Sequence, residues 1–154
     1  MGEALQRRIQ QQRFESPVVE AMLNLVVAAD HMQQRMNAVC EEFGITTGQY
    51  NVLRILRGAH PDGHSRCEIA KRMLERAPDV TRLVDRLEIQ KLVERVRTES
   101  DRRLSITRIT AKGLELLASM EPRMQQLHQY FAERVSKRDC RELSRICEGI
   151  YDEG

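Results

Sequence analysis

A chain of 154 residues, 41% hydrophobic and 31% charged, is long enough to bury a core of its own without covalent staples. It has no Trp, three Tyr and three Phe, too few aromatic faces for stacking single-stranded nucleic acid, and no apolar run of the roughly 18 residues a membrane span needs. Net charge is only +2, but it is uneven: His64 to Lys112 holds 13 Lys/Arg against 8 Asp/Glu, inside a mildly acidic remainder.

The stretch from Met1 to Phe14 is polar, carries Arg7, Arg8 and Arg13, and lacks the apolar segment of a signal peptide, so a cytoplasmic location is expected. Ser16-Pro17 then opens a long helix, with Val19, Met22, Val26, Ala29 and Met36 at helical spacing and Gly44 after its end. Three Ser/Thr-x-x-acid/amide patterns predict capping boxes at Thr46–Gln49, Ser65–Glu68 and Ser136–Asp139. The first starts a short helix with Val52, Leu53 and Leu56 inward. The second starts another with Ile69, Ala70 and Met73 inward, after a His60-Pro61-Asp62-Gly63 loop.

A helix opened by Pro78 and running to about Gln90 carries Val80, Leu83, Val84 and Leu87 on one stripe. The period then changes. Leu92 to Arg97 and Leu104 to Ile109 predict a β-hairpin with a charged tip, its alternation imperfect. Thr110 caps a long helix with Leu114, Leu117, Met124, Leu127, Phe131 and Val135, which Pro122 is expected to bend. The last helix has Leu143, Cys147 and Ile150 on one stripe. The fold class is mainly α with a small β-hairpin wing: a winged helix-turn-helix at 44–110, between terminal helix regions at 1–43 and 111–154, in one compact domain overall.

A major groove admits one helix, and the helix after Pro78 has the two faces this requires. Opposite its apolar stripe sit Thr81, Arg82, Asp85 and Arg86, with the two arginines one turn apart. Asp79 at its start, and Ser65 and Arg66 on the preceding helix, join the candidate double-stranded DNA contacts. So do Lys91 after it and Asp101, Arg102 and Arg103 at the wing tip. A solvated face laced by Arg82, Asp85 and Arg86 is the alternative for the helix taken alone.

From Gly44 to Gly113 the sequence resembles the MarR-type regulators. Gly44-Ile-Thr-Thr-Gly-Gln-Tyr-Asn-Val-Leu-Arg-Ile-Leu56 and Ser65-Arg-Cys-Glu-Ile-Ala70 are similar to that family's supporting helices. Thr81-Arg-Leu-Val-Asp-Arg-Leu-Glu88 with Leu92-Val-Glu-Arg95 resembles its recognition helix and first wing strand. Asp101-Arg-Arg103 with Ile109-Thr110 and Gly113 resembles its wing. The resemblance implies a homodimer built from the terminal helices, acting as a repressor on a pseudo-palindromic operator. It makes Arg103 the minor-groove arginine and Asp101 its partner. Lys91 stands where the family usually has Gly, so a looser turn or an added phosphate contact is expected there.

The resemblance also implies relief by a small anionic or aromatic effector. His31 and Arg35, one turn apart, with Tyr50, form the candidate ligand site; ordinary surface and interface roles are the alternative. Cys67, second in a capped helix beside Arg66, is the candidate redox thiol. Cys140 and Cys147 are expected to be packing residues, and no cysteine has the spacing of a metal site or disulfide framework. His60, His64 and Asp62 match no metal spacing and read as a solvent-exposed loop. No cofactor is expected. No P-loop, dinucleotide fingerprint, nucleophile elbow or zincin motif is present, so catalysis is not expected. A winged helix used for protein contact without DNA readout remains the other alternative.

Overall fold

The computed structural model describes residues 2–76, 79–97 and 105–152. Its elements are α1 (Glu3–Ile9), α2 (Pro17–Glu42), α3 (Thr47–Gly58), β1 (His64–Ser65), α4 (Arg66–Arg72), α5 (Val80–Ile89), β2 (Val93–Arg97), β3 (Ser105–Ile109), α6 (Ala111–Ala132) and α7 (Lys137–Tyr151). The mainly helical architecture with a small antiparallel sheet is the one expected from the sequence. Chain contacts divide it into two compact units, Met1–Ala38 and Val39–Gly154.

In the first unit, Ser16 Oγ accepts from the Val19 N–H at 3.3 Å, the N-cap expected at the start of α2. Helix α1 is a finding that polarity hid. It buries Leu5, and Arg8 pairs with Asp30 at 3.5 Å. Along α2, Val18, Met22, Leu25 and Val26 stand exposed.

In the second unit, helices start where a side-chain oxygen takes up a free backbone N–H. Only Thr46–Gln49 closes as a reciprocal box: Thr46 Oγ1 accepts from the Gln49 N–H, and Gln49 Oε1 from the Thr46 N–H. Ser65 and Ser136 accept their N–H, but their carboxylate partners turn elsewhere. Glu68 accepts from Lys71 at 2.9 Å and Arg72 at 2.5 Å, since two cations outweigh one neutral N–H. Asp139 Oδ2 accepts from the Ser136 hydroxyl itself at 2.6 Å.

The helix expected from Pro78 to Gln90 is regular only over Val80–Ile89. Asp79 is its cap, accepting from the Arg82 N–H at 3.1 Å, and Gln90 follows the last turn; Pro78 lies outside the described residues. The hairpin of β2 and β3 pairs Val93 with Ile109, Arg95 with Thr107 and Arg97 with Ser105. Beyond the hairpin, β1 adds a third strand, His64 opposite Thr107 and Ser65 opposite Ile106, in the order β1-β3-β2. His64 is therefore half-buried on a strand, a correction to the exposed loop expected through it. Gly63, at φ +79°, makes this pairing possible: a Cβ there would lie 2.2 Å from the Thr107 carbonyl oxygen.

The turn from α5 into β2 corrects a second expectation. It is tight, because Lys91 itself takes up the left-handed conformation at φ +61°. The Leu92 N–H reaches the Leu87 carbonyl at 3.0 Å and the Lys91 N–H reaches that of Glu88 at 2.9 Å, the two bonds of a Schellman ending. Gly44 ends α2 with the same pair of bonds, onto Cys40 and Glu41.

The core collects Val52, Leu53 and Leu56 of α3, Ile69 of α4, Val80, Val84 and Leu87 of α5, and Leu117, Met120, Met124 and Leu127 of α6. Leu92, Val93 and Ile109 join it from the wing. Ala70, expected inward, is exposed on the outer side of α4. Helix α6 runs through Pro122 as one element, and Arg123 clasps Glu42 with two bonds of 2.8 and 2.5 Å. Helix α7 buries no residue. Leu143, Ile146 and Ile150 stand exposed along it, with Cys147 half-buried.

Candidate nucleic-acid interface

Helix α5 turns Val80, Val84 and Leu87 into the core, which leaves Thr81, Arg82, Asp85 and Arg86 exposed on the opposite face, as its spacing predicts. The support is close-packed. A Cβ on Gly48 at the start of α3 would meet Leu83 of α5 at 3.1 Å. At the far end, the Thr110 hydroxyl donates to the Lys91 carbonyl at 2.8 Å and Lys112 Nζ to that of Gln90 at 2.9 Å. The start of α6 thus holds the exit of α5.

The exposed face divides into two rows one turn long. Thr81 and Asp85 are tied to flanking elements: Arg66 Nη1 on α4 donates to Thr81 Oγ1 at 2.9 Å, and Arg95 Nη2 on β2 donates to Asp85 Oδ1. Arg95 Nε also lies 3.4 Å from Glu88 Oε2. Arg82 and Arg86 have no side-chain hydrogen bond or ion pair among the described residues and project two positive charges outward. Between the start of α4, α5 and the sheet lies a concavity of about 550 Å³, bordered by Arg66, Cys67, Thr81, Val84 and Arg95.

The remaining candidates fall as follows. Ser65 caps α4 while pairing in β1, and Arg66 is exposed. Asp79 is spent as a cap, and Lys91 is exposed. Asp101, Arg102 and Arg103 lie outside the described residues. His31 and Arg35 belong to the first unit, where Arg35 Nε donates to His31 Nε2 at 3.1 Å. Tyr50 belongs to the second; burial pushes its hydroxyl pKa up, against Arg54 and Arg57.

Cys67 is exposed and Cys140 and Cys147 half-buried, whereas Cys40 is buried, which together with Glu41 pushes its thiol pKa up to about 11. Among the described residues, no three His, Cys, Asp or Glu side chains gather to hold a metal ion, and no helix is long and apolar enough to cross a membrane.

Sequence reasoning missed Arg95 and Lys112. Lys112 carried no signal, since its bond is to a backbone carbonyl distant in sequence. Arg95 carried one: it stands where strand alternation calls for an inward residue, across from two carboxylates one turn apart on α5.

The sequence profile of the MarR family matches residues 43–104. A MarR transcription factor from Planctomyces limnophilus is 37% identical, with 88% of this chain and 98% of that one covered at a TM-score of 0.70. At 23% identity the fold is shared with MepR of S. aureus, solved as a DNA complex (TM-score 0.73, 82% of this chain and 92% of that one). It is shared at 23% identity also with the PcaV transcriptional regulator of Streptomyces coelicolor, solved with its natural ligand (TM-score 0.69, 82% and 90%). A search of curated proteins by sequence gave no match. With a relative this similar along nearly its whole length, and a two-faced helix held between a helical support and a wing, the chain belongs to the MarR family of winged-helix transcription regulators.

Proposed function

We propose that this chain is a sequence-specific double-stranded DNA-binding transcription regulator, a repressor that acts as a homodimer on a pseudo-palindromic operator. The observation that carries the reading is the outward row of Arg82 and Arg86 on a helix buried along its opposite face. Guanidiniums one turn apart suit bidentate contact with guanine or with phosphate. The DNA complex of MepR, a protein of the same fold, supports it.

The dimer is supported by apolar side chains that each unit leaves in water: Val18, Met22 and Val26 on α2, and Leu143, Ile146 and Ile150 on α7. Symmetry then places half-sites about one helical turn apart. Relief by a small anionic or aromatic effector completes the reading, supported by the ligand complex of PcaV. A redox input through Cys67 is a second reading, favoured by its exposed thiol beside Thr81 and Arg66 in the concavity along α5.

Selection of bound duplexes from a random pool tests the proposal. Recovery of a two-fold related motif with that spacing is expected; a pool that stays random after repeated rounds contradicts it.

A further inference from the structure

Asp85 and Glu88 place two carboxylates on α5, the helix that the proposed function turns toward a polyanion. Left to themselves they would oppose phosphate. Asp85 would also pair with Arg82, its i−3 neighbour, and take that guanidinium out of use. In the structure Asp85 is not paired with Arg82, and both carboxylates converge on Arg95: its Nη2 bonds Asp85 Oδ1 and its Nε lies 3.4 Å from Glu88 Oε2.

The sheet places Arg95 for this. Its register partner is Thr107, which is buried, and it lies two residues from Val93, which packs into the core on the same face of the strand. An arginine here is exposed, yet its guanidinium reaches across to α5. Its fork offers two nitrogens to two acceptors, which a lysine cannot match.

We propose that Arg95 is a positioning residue for DNA recognition. It acts through Asp85, cancelling the carboxylates of α5 and keeping Asp85 off Arg82, and it makes no phosphate contact of its own. The inference rests on the DNA-binding reading above.

Fluorescence anisotropy tests it on the duplex that the wild type selects from a random pool, comparing wild type, Arg95→Gln, Asp85→Asn and the double variant. Arg95→Gln is expected to weaken binding roughly tenfold, from two uncompensated charges and a captured Arg82. Any fall in the slope of log Kd against log salt comes from the captured Arg82, so it is expected to be reversed in the double variant. Asp85→Asn added to Arg95→Gln should restore affinity to within about threefold of wild type, Glu88 accounting for the remainder.

A direct phosphate contact gives a different pattern: the double variant stays as weak as Arg95→Gln, and its slope stays about one below that of wild type. That result, or no effect of Arg95→Gln, overturns the proposal. A merely structural role would lower the thermal midpoint in step with affinity and leave no rescue, which also overturns it. If Arg95→Gln does not fold, Arg95→Lys replaces it in the same comparison. A wild type that selects no duplex sinks the DNA-binding reading and this inference together. One that binds without rescue by Asp85→Asn sinks this inference alone.

Discussion

Adding one methyl group at Gly113 sets two elementary effects against each other. Gly113 is buried in the first turn of α6, and its N–H donates to the capping Thr110 hydroxyl at 3.1 Å. By helix propensity alone, alanine there should stabilise by about 1 kcal/mol. By packing it should do the reverse, since its Cβ would lie 2.3 Å from the Leu92 carbonyl oxygen and 2.7 Å from Ile109 Cγ1. The oxygen is backbone, sits in the turn that ends α5, and already accepts from the Thr110 N–H at 3.1 Å, so little can yield. Overpacking of this kind costs about 3 kcal/mol, the upper end of its usual range. The net expectation is a loss of about 2 kcal/mol, or a fall of roughly 4–8 °C in Tm for a chain of this size.

Gly58 at the end of α3 has nothing within 4 Å of its would-be Cβ, so Gly58→Ala should gain about 0.5–1 kcal/mol. Urea unfolding followed by circular dichroism, at one fixed protein concentration, should separate the two alanines by about 3 kcal/mol. Gly113→Ala as stable as wild type would refute the close approach of α6 to the wing turn.

Lys91→Gly relieves about 1–2 kcal/mol of left-handed strain but returns about 0.4–1 kcal/mol of chain entropy to the unfolded state, so a gain of about 0.5–1 kcal/mol is expected in the same urea assay. A clear loss would show that the lysine side chain stabilises the turn. In timed alkylation read by peptide mass at pH 8, Cys67 should be modified first and Cys40 last; equal rates would contradict the burial of Cys40. Because folding raises the Cys40 thiol from 9.0 to about 11, its contribution is present below pH 9 and lost as pH rises toward 11. Cys40→Ser should therefore unfold with less dependence on pH in that window than wild type. For Glu68, hydrogen bonds from Lys71 and Arg72 depress the carboxyl from 4.5 to about 2. Its contribution is complete above pH 4.5 and lost as pH falls toward 2, so a stability deficit of Glu68→Gln at pH 7 should fade across that window. A deficit that persists at pH 2 would point to poorer packing instead.

The fold was legible wherever periodicity and caps agree. Val80, Val84 and Leu87 are buried as their spacing requires, and Thr46, Ser65, Thr110 and Ser136 each cap the helix expected of them. What escaped depends on contacts distant in sequence. Strand β1 has two residues, too few for any period, and exists because β3 offers an edge and Gly63 allows the approach. Helix α1 buries Leu5 alone and carries Glu3, Gln6, Arg7 and Arg8 around it, so it offers no apolar period to read.

The imperfect alternation of the first wing strand has a physical cause. Two residues after buried Val93, where alternation calls for another apolar residue, stands Arg95, which is exposed and pairs its charge with α5. The glycine rule failed at Lys91 for another reason: the two Schellman bonds, and the bond from Thr110, hold a lysine in a conformation that sequence assigns to glycine.

In the proposed function, α5 presents Arg82 and Arg86 to duplex DNA. Anisotropy titrations of wild type and Arg82→Ala/Arg86→Ala across a salt series test it most directly. A steep fall in wild-type affinity with salt is expected. The double variant should be weaker everywhere, with a slope smaller by about one for each phosphate that the two guanidiniums neutralise. A flat wild-type response, or a double variant that binds as wild type does, would contradict the account.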